Sequence, residues 1–199
     1  MRSPQSETNE LQVQTILHVA LDRFHRDGYA ATSMRSVAAA AHVSIRALYE
    51  IFPSKLALLS ELVESAHDGL LLQTEAAVAA AGTDPVDRLE AAVWAQCDYC
   101  ARHPKGVLLA VREMHHLDEL TRHRIAGKRG RQQDLFVEVV RDGAAAGVFA
   151  VPEPAVVGRA LFDLCASVPG SLGDGAAPRI VSQAYCDLAG RMTGLGAAA

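Results

Sequence analysis

The chain has 199 residues, 50% of them hydrophobic and 5% aromatic, with a formal net charge of −4 at pH 7. It holds no run of about 18 uncharged apolar residues, so no membrane-spanning helix is expected, and its polar opening, MRSPQSETNELQ, has no apolar stretch of the secretory kind. Four cysteines make no disulfide scaffold at this length, which points to a reducing cytoplasm. The acidity is uneven. Residues 1–55 carry 6 Lys and Arg against 5 Asp and Glu, leaving 13 against 18 for the remainder. The first segment is thus free to approach phosphates that the rest of the chain would repel.

Helical periodicity runs from end to end, and no stretch alternates as a strand would. From about Asn9 to Asp27, Ile16, Leu17, Ala20, Leu21 and Phe24 share one face. Gly28 stands where a helix C-cap belongs. Thr32 is the expected N-cap of a short helix carrying Met34, Val37, Ala38 and Ala41. After His42 and Val43, Ser44 caps a second short helix, Ile45 to Phe52, which Pro53 stops. Ser54 caps a long helix beginning at Lys55. Two short helices joined by a tight turn are helix-turn-helix geometry. On a helical wheel Ile45, Leu48 and Phe52 face inward, Arg46, Ala47 and Glu50 face outward, and Tyr49 lies at the boundary. Arg46 is thereby placed to face a major groove, and Lys55, with the amides opening its helix, to hold a phosphate.

Further on, Asp84-Pro85 starts a helix that His103-Pro104 ends, with Val86, Leu89, Val93 and Cys97 as its apolar stripe and Trp94 beside it. The segment KGVLLAVREMHHLDEL is apolar and then polar. A long helix is expected from about Leu117 to Ala146, closed by Gly147. Helices near 154–169 and 178–192, separated by a Gly/Ala/Pro loop at 173–178, are apolar on more than one side. Val157, Ala160, Leu161, Leu164, Cys165 and Val168 face Ile180, Val181, Ala184, Tyr185 and Leu188 in kind, a pattern that suits burial against a partner. The middle helices offer an apolar pocket lining of Trp94, Cys97, Leu108, Val111, Met114, Phe136 and Val140, with Arg112, His115 and His116 as polar anchors. Such a lining suits a hydrophobic molecule with one polar or anionic end, a fatty or steroid-like acid or its coenzyme A thioester. The basic run from Arg122 to Arg131 could meet the phosphates of such a thioester.

The pair Cys97 and Cys100, in CDYC, lies inside an expected helix with no second pair and reads as packing. Its alternative is a thiol- or metal-dependent redox protein or sensor. Cys97, Cys100 and His103 spread around the helix rather than converge on an ion. Glu113 and His116 resemble half of a di-iron motif without its second copy. No catalytic triad, phosphate loop or paired-carboxylate motif is present, so neither catalytic residues, a resident metal nor a cofactor is expected.

Residues 14–63 resemble the DNA-binding domain of the tetracycline-repressor (TetR) family of bacterial regulators. Phe24, Gly28-Tyr29, TSM at Thr32–Met34, Val43-Ser44 and LY..F.SK at Leu48–Lys55 carry the resemblance. It implies an all-α protein: a helix-turn-helix DNA-binding domain at 1–55 and a larger helical domain for ligand binding and dimerisation at 56–199. The implied DNA-binding set is Thr32, Ser33, Arg35, Ser44, Ile45, Arg46, Tyr49 and Lys55. The resemblance also implies a homodimer joined through the two C-terminal helices, which binds a palindromic operator as a repressor and leaves it when a small effector binds. Two positions depart from the family's habit. His42 replaces a glycine in the turn and must take a left-handed conformation. Ile51 replaces a histidine or tyrosine and cannot donate a hydrogen bond to a phosphate.

Overall fold

The apolar residues recur at three- and four-residue spacing, and every regular element among the described residues is helical. The computed structural model describes residues 4–171 and 177–195. The helices are α1 (Pro4–Asp27), α2 (Met34–Ala40), α3 (Ile45–Ile51), α4 (Lys55–Ala80), α5 (Pro85–Arg102), α6 (Pro104–Arg112), α7 (Glu119–Ala145), α8 (Pro154–Ala166), α9 (Val168–Ser171) and α10 (Pro178–Met192), with a 3-10 turn at Met114–His116. Most of the loop expected at 173–178 falls outside the described residues. Among the described residues no helix is long and apolar enough to cross a membrane. The chain divides into two compact units. One takes the residues up to Ala66 with Lys105–Arg122, and the other takes His67–Pro104 with the residues from His123 onward.

In the first unit α1 buries Ile16, Ala20 and Phe24, while Leu17 and Leu21 are half-buried. It starts five residues before the expected Asn9, at Pro4. Gly28 ends it in the left-handed conformation (φ +83°), its N–H donating to the Phe24 carbonyl at 3.1 Å. The cap of α2 is Ser33, one residue after the expected Thr32. The Thr32 hydroxyl is turned inward and donates to the Gly28 carbonyl at 2.9 Å. That leaves Ser33 Oγ to accept from the Ser36 N–H at 3.1 Å, while the Ser33 N–H donates back to Ser36 Oγ at 3.3 Å, a capping box built from two serines. After α2, His42 takes φ +55° as the expectation required, and the Val43 N–H donates across it to the Ala38 carbonyl at 3.0 Å. Ser44 caps α3 through the Ala47 N–H at 3.0 Å, and Ser54 caps α4 through the Ala57 N–H at 2.9 Å. Lys105, at the start of α6, donates to Asp22 Oδ1 at 2.6 Å and holds that carboxyl below the usual carboxylate range.

In the second unit Asp84 accepts from the Val86 and Asp87 N–H groups at 2.8 and 3.1 Å and so caps α5 as expected. The stripe of α5 buries Leu89, Val93 and Cys97, and the helix packs against α8 and α10. Helices α7 and α8 cross closely at Gly158, where a Cβ would lie 2.6 Å from Val137 Cα and 2.9 Å from Val137 N. Backbone cannot yield to it as a flexible side chain would. Gly158→Ala is therefore expected to cost about 1–3 kcal/mol by overpacking. Gly127→Ala in α7 meets nothing within 4 Å and should gain about 0.5–1 kcal/mol. Thermal melts of the two variants check this, and equal melting temperatures would show that α7 and α8 do not meet at Gly158.

Candidate nucleic-acid interface

Helix α3 has seven residues and two unlike faces. Leu48 and Phe52 are buried beneath it. Full burial of a leucine stabilises by about 1.5–3 kcal/mol, enough to fix which way so short a helix turns. Arg46 points away, its side chain 88% exposed, and its Nε donates to Glu50 Oε1 at 2.9 Å one turn on. Tyr49 is 48% exposed and Ile45 40%. Ile45 thus leaves the inward face expected of it. At 3.6 residues per turn it lies about 40° from Tyr49 and about 60° from Leu48, so at the helix's first residue it joins the outer rim.

Thr32, Ser33, Arg35, Ile45, Tyr49 and Lys55 line one groove of about 490 Å³ between the start of α2 and the outer side of α3. Ser33 and Arg35 are exposed there, whereas Thr32 is buried and only edges the groove. Ser44 and Arg46 lie beyond it at the exposed start of α3.

Lys55, expected to hold a phosphate, makes its contacts here within the protein. Its ammonium donates to the carbonyls of Tyr29, Ala30 and Thr32 at 2.8, 3.2 and 3.0 Å and rests over the Tyr29 ring, 4.3 Å from its centroid. An ammonium has three N–H donors, and here each has a carbonyl. The lysine ties the turn before α2 to the first residue of α4. Lys55→Met is expected to lower stability by about 1.5–3 kcal/mol, the range for charge-assisted hydrogen bonds. The salt dependence of DNA binding should stay as in the parent. A salt slope lower by about one would show instead that the ammonium reaches a phosphate.

The residues expected to line an effector pocket do not share one unit. Leu108, Val111, Arg112, Met114 and His115 belong to the first, where Val111 is 68% exposed and Arg112 and His115 are exposed. Trp94, Cys97, Phe136 and Val140 belong to the second. Cys97, Phe136 and Val140 are fully buried there. Trp94 edges a groove of about 470 Å³ with Gln73, Asp87, Glu90, Gln183 and Cys186. Within the basic run of α7, Lys128 pairs with Asp68 at 2.7 Å and Arg129 lies over the Phe162 ring.

The periodicity missed a buried polar cluster in the second unit. Gln132 Nε2 donates to Gln96 Oε1 at 3.1 Å and to Thr74 Oγ1 at 3.4 Å, and Gln96 Nε2 donates to the Phe162 carbonyl at 3.3 Å. Thr74, Gln96 and Gln132 are at most 1% exposed. The signal was a polar residue on an apolar stripe: Gln96 falls between Val93 and Cys100, and Gln132 between Ile125 and Phe136. Such amides, buried in the same unit as Cys97, Phe136 and Val140, are the kind of polar groups that orient an otherwise apolar ligand.

The thiols do not form a reactive pair. Cys97 and Cys100 are buried. The Cys165 side chain and burial push the Cys97 thiol far up, and burial pushes Cys100 up to about 12. Neither supplies a thiolate at neutral pH.

Residues 16–62 match the family described as bacterial regulatory proteins of the tetR family, and residues 82–170 match the tetracyclin repressor-like C-terminal domain. Together the two cover about two thirds of the chain. No curated protein matches. Among solved structures, a tetR-family regulatory protein from Rhodococcus RHA1 is similar at 27% identity and a TM-score of 0.82, over 92% of this chain and 96% of that one. PfmR, a TetR-family transcriptional regulator from Thermus thermophilus, is 29% identical with a TM-score of 0.82, over 88% and 97%. AibR, solved with isovaleryl coenzyme A and operator DNA, shares the fold at 22% identity and a TM-score of 0.77, over 92% and 98%. With a helix-turn-helix at its N-terminus and an all-helical remainder, the chain belongs to the TetR family of transcriptional regulators.

Proposed function

We propose that this regulator is a repressor. It binds a palindromic operator as a homodimer and is released by a small hydrophobic or acyl-coenzyme A-like effector in the cytoplasm. The observation that carries the reading is α3 itself: its inner side holds Leu48 and Phe52, and its outer side offers Arg46 and Tyr49 to solvent. Residues 1–55 take the DNA-binding role and residues 56–199 the effector and dimer roles. Ser33, Arg35, Ser44 and Tyr49 position the domain on phosphates, and Arg46 reads a base.

The effector belongs in the second unit, where Gln96, Gln132 and Thr74 supply orienting groups within an apolar core that includes Cys97, Phe136 and Val140. AibR, of the same fold, was solved with an acyl-coenzyme A, which supports that class of effector. The effector must bind the low-affinity conformation better than the DNA-bound one, since equal affinity for both shifts nothing.

A panel of acyl-coenzyme A esters, free fatty and steroid-like acids and cationic dyes tests the class. The expected result is a higher melting temperature and release of DNA with the acyl compounds alone. Release by cationic dyes only would overturn the effector assignment while leaving the DNA-binding role intact.

A further inference from the structure

Where α6 gives way to the 3-10 turn, three metal-ligating side chains converge in the first unit. One carboxylate oxygen of Glu113 and one ring nitrogen each of His115 and His116 all lie within 4.8 Å of one another. Glu113 Oε2 is 3.5 Å from His116 Nε2, and the two imidazole centroids are 4.1 Å apart. Sequence spacing pairs Glu113 with His116 but does not bring His115 to them, because consecutive histidines on a regular helix point about 100° apart. The α-helix ends at Arg112, and in the 3-10 turn that follows residues three apart eclipse, which sets His116 beside Glu113, while the His115 ring lies against that of His116.

We propose that Glu113, His115 and His116 form a binding site for one divalent transition-metal ion of the zinc class. Two imidazoles and a carboxylate are a donor set that borderline ions such as Zn²⁺, Co²⁺ and Ni²⁺ accept. A tetrahedral ion with bonds of about 2.0–2.2 Å holds its ligand atoms about 3.3–3.6 Å apart. The Glu113–His116 pair already stands at that spacing. The remaining ligand closes by side-chain rotation, since both His115 and His116 are exposed. The Tyr29 ring also lies against His116, 4.7 Å away centroid to centroid. Exposure leaves a fourth position open to solvent, so the site is expected to exchange its ion readily rather than to be a closed structural centre. The site owes nothing to the effector or operator assignments above.

The test uses the full chain without a histidine tag, at neutral pH. Co²⁺ is titrated while its visible absorption is followed, and Zn²⁺ is titrated against a chromophoric chelator. The expected result is one ion per chain, with Zn²⁺ displacing Co²⁺. His115→Ala and His116→Ala should each weaken binding at least as much as the ~10–100-fold known for outer-shell changes. Glu113→Gln should weaken it too, and His18→Ala, on α1, should leave it unchanged. Circular dichroism confirms that each variant is folded. Unchanged affinity in a folded Glu113→Gln, His115→Ala, His116→Ala triple variant would overturn the proposal. So would the absence of any Co²⁺ absorption, or a sulfur-to-cobalt charge-transfer band that places the ion on the cysteines.

Discussion

Leu188→Glu is expected to give a folded monomer that no longer holds a palindromic operator tightly. Helix α10 carries Ile180, Leu188 and Met192 at 70%, 42% and 38% exposure, with exposed Ala184 between them, a row at four-residue spacing. On α8, Val156 is 60% exposed and Ala160 stands one turn on. The same two helices bury Leu161, Cys165 and Tyr185 on their other sides. Each helix thus has one apolar face inside the second unit and another left over, which is what burial against a second copy requires. Each large side chain covered by the partner stabilises the pair by about 1.5–3 kcal/mol, and a glutamate buried there unpaired opposes it by several kcal/mol. Leu188 suits the test better than the half-buried Leu164, because its substitution leaves the monomer's own core untouched. Light scattering and operator titration check the outcome together. A Leu188→Glu protein that stays dimeric, or a monomeric parent, would remove α10 from the interface.

The second large effect is expected at Arg46. Arg46→Ala should lower specific operator affinity by about 1–3 kcal/mol, the worth of a bidentate guanine contact, and leave affinity for scrambled DNA nearly unchanged. Stability should hardly move, since the pair it forms with Glu50 is exposed and such pairs contribute about 0–1 kcal/mol. Glu50 sharpens the test. Its carboxylate now accepts from Arg46 Nε and would face the DNA's own negative charge. Glu50→Gln should therefore raise affinity for operator and scrambled DNA alike. Competition titrations with both DNAs separate these effects. Equal losses on the two DNAs for Arg46→Ala would show that the arginine contacts only the backbone.

Local signals were legible in the sequence. The serine caps of α3 and α4, the aspartate cap of α5 and the inward Leu48 and Phe52 each depend on residues within one or two turns of one another, whereas the left-handed turn at His42 was legible through the family resemblance. The one-residue shift of the α2 cap arose because Thr32 had a second use for its hydroxyl, toward the carbonyl of Gly28. What failed to show depended on distant partners. Nothing near Lys55 indicates that its ammonium meets three carbonyls more than twenty positions earlier. The pocket residues were grouped by their apolar character alone, which cannot tell Val140, fully buried, from Val111, which faces solvent. Gln96 and Gln132 lie 36 positions apart, and only the fold turns one toward the other.

Selection of bound duplexes from a random DNA pool, by the parent protein and by Arg46→Ala, tests whether α3 reads an operator as half of a dimer. A TetR-type repressor dimer reading DNA through α3 should enrich an inverted repeat, because two-fold protein symmetry demands two-fold symmetry of the site. The arginine variant should enrich the same repeat with one guanine position relaxed in each half. A parent that enriches a single unrepeated half-site, or nothing at all, would contradict the dimeric operator-binding account.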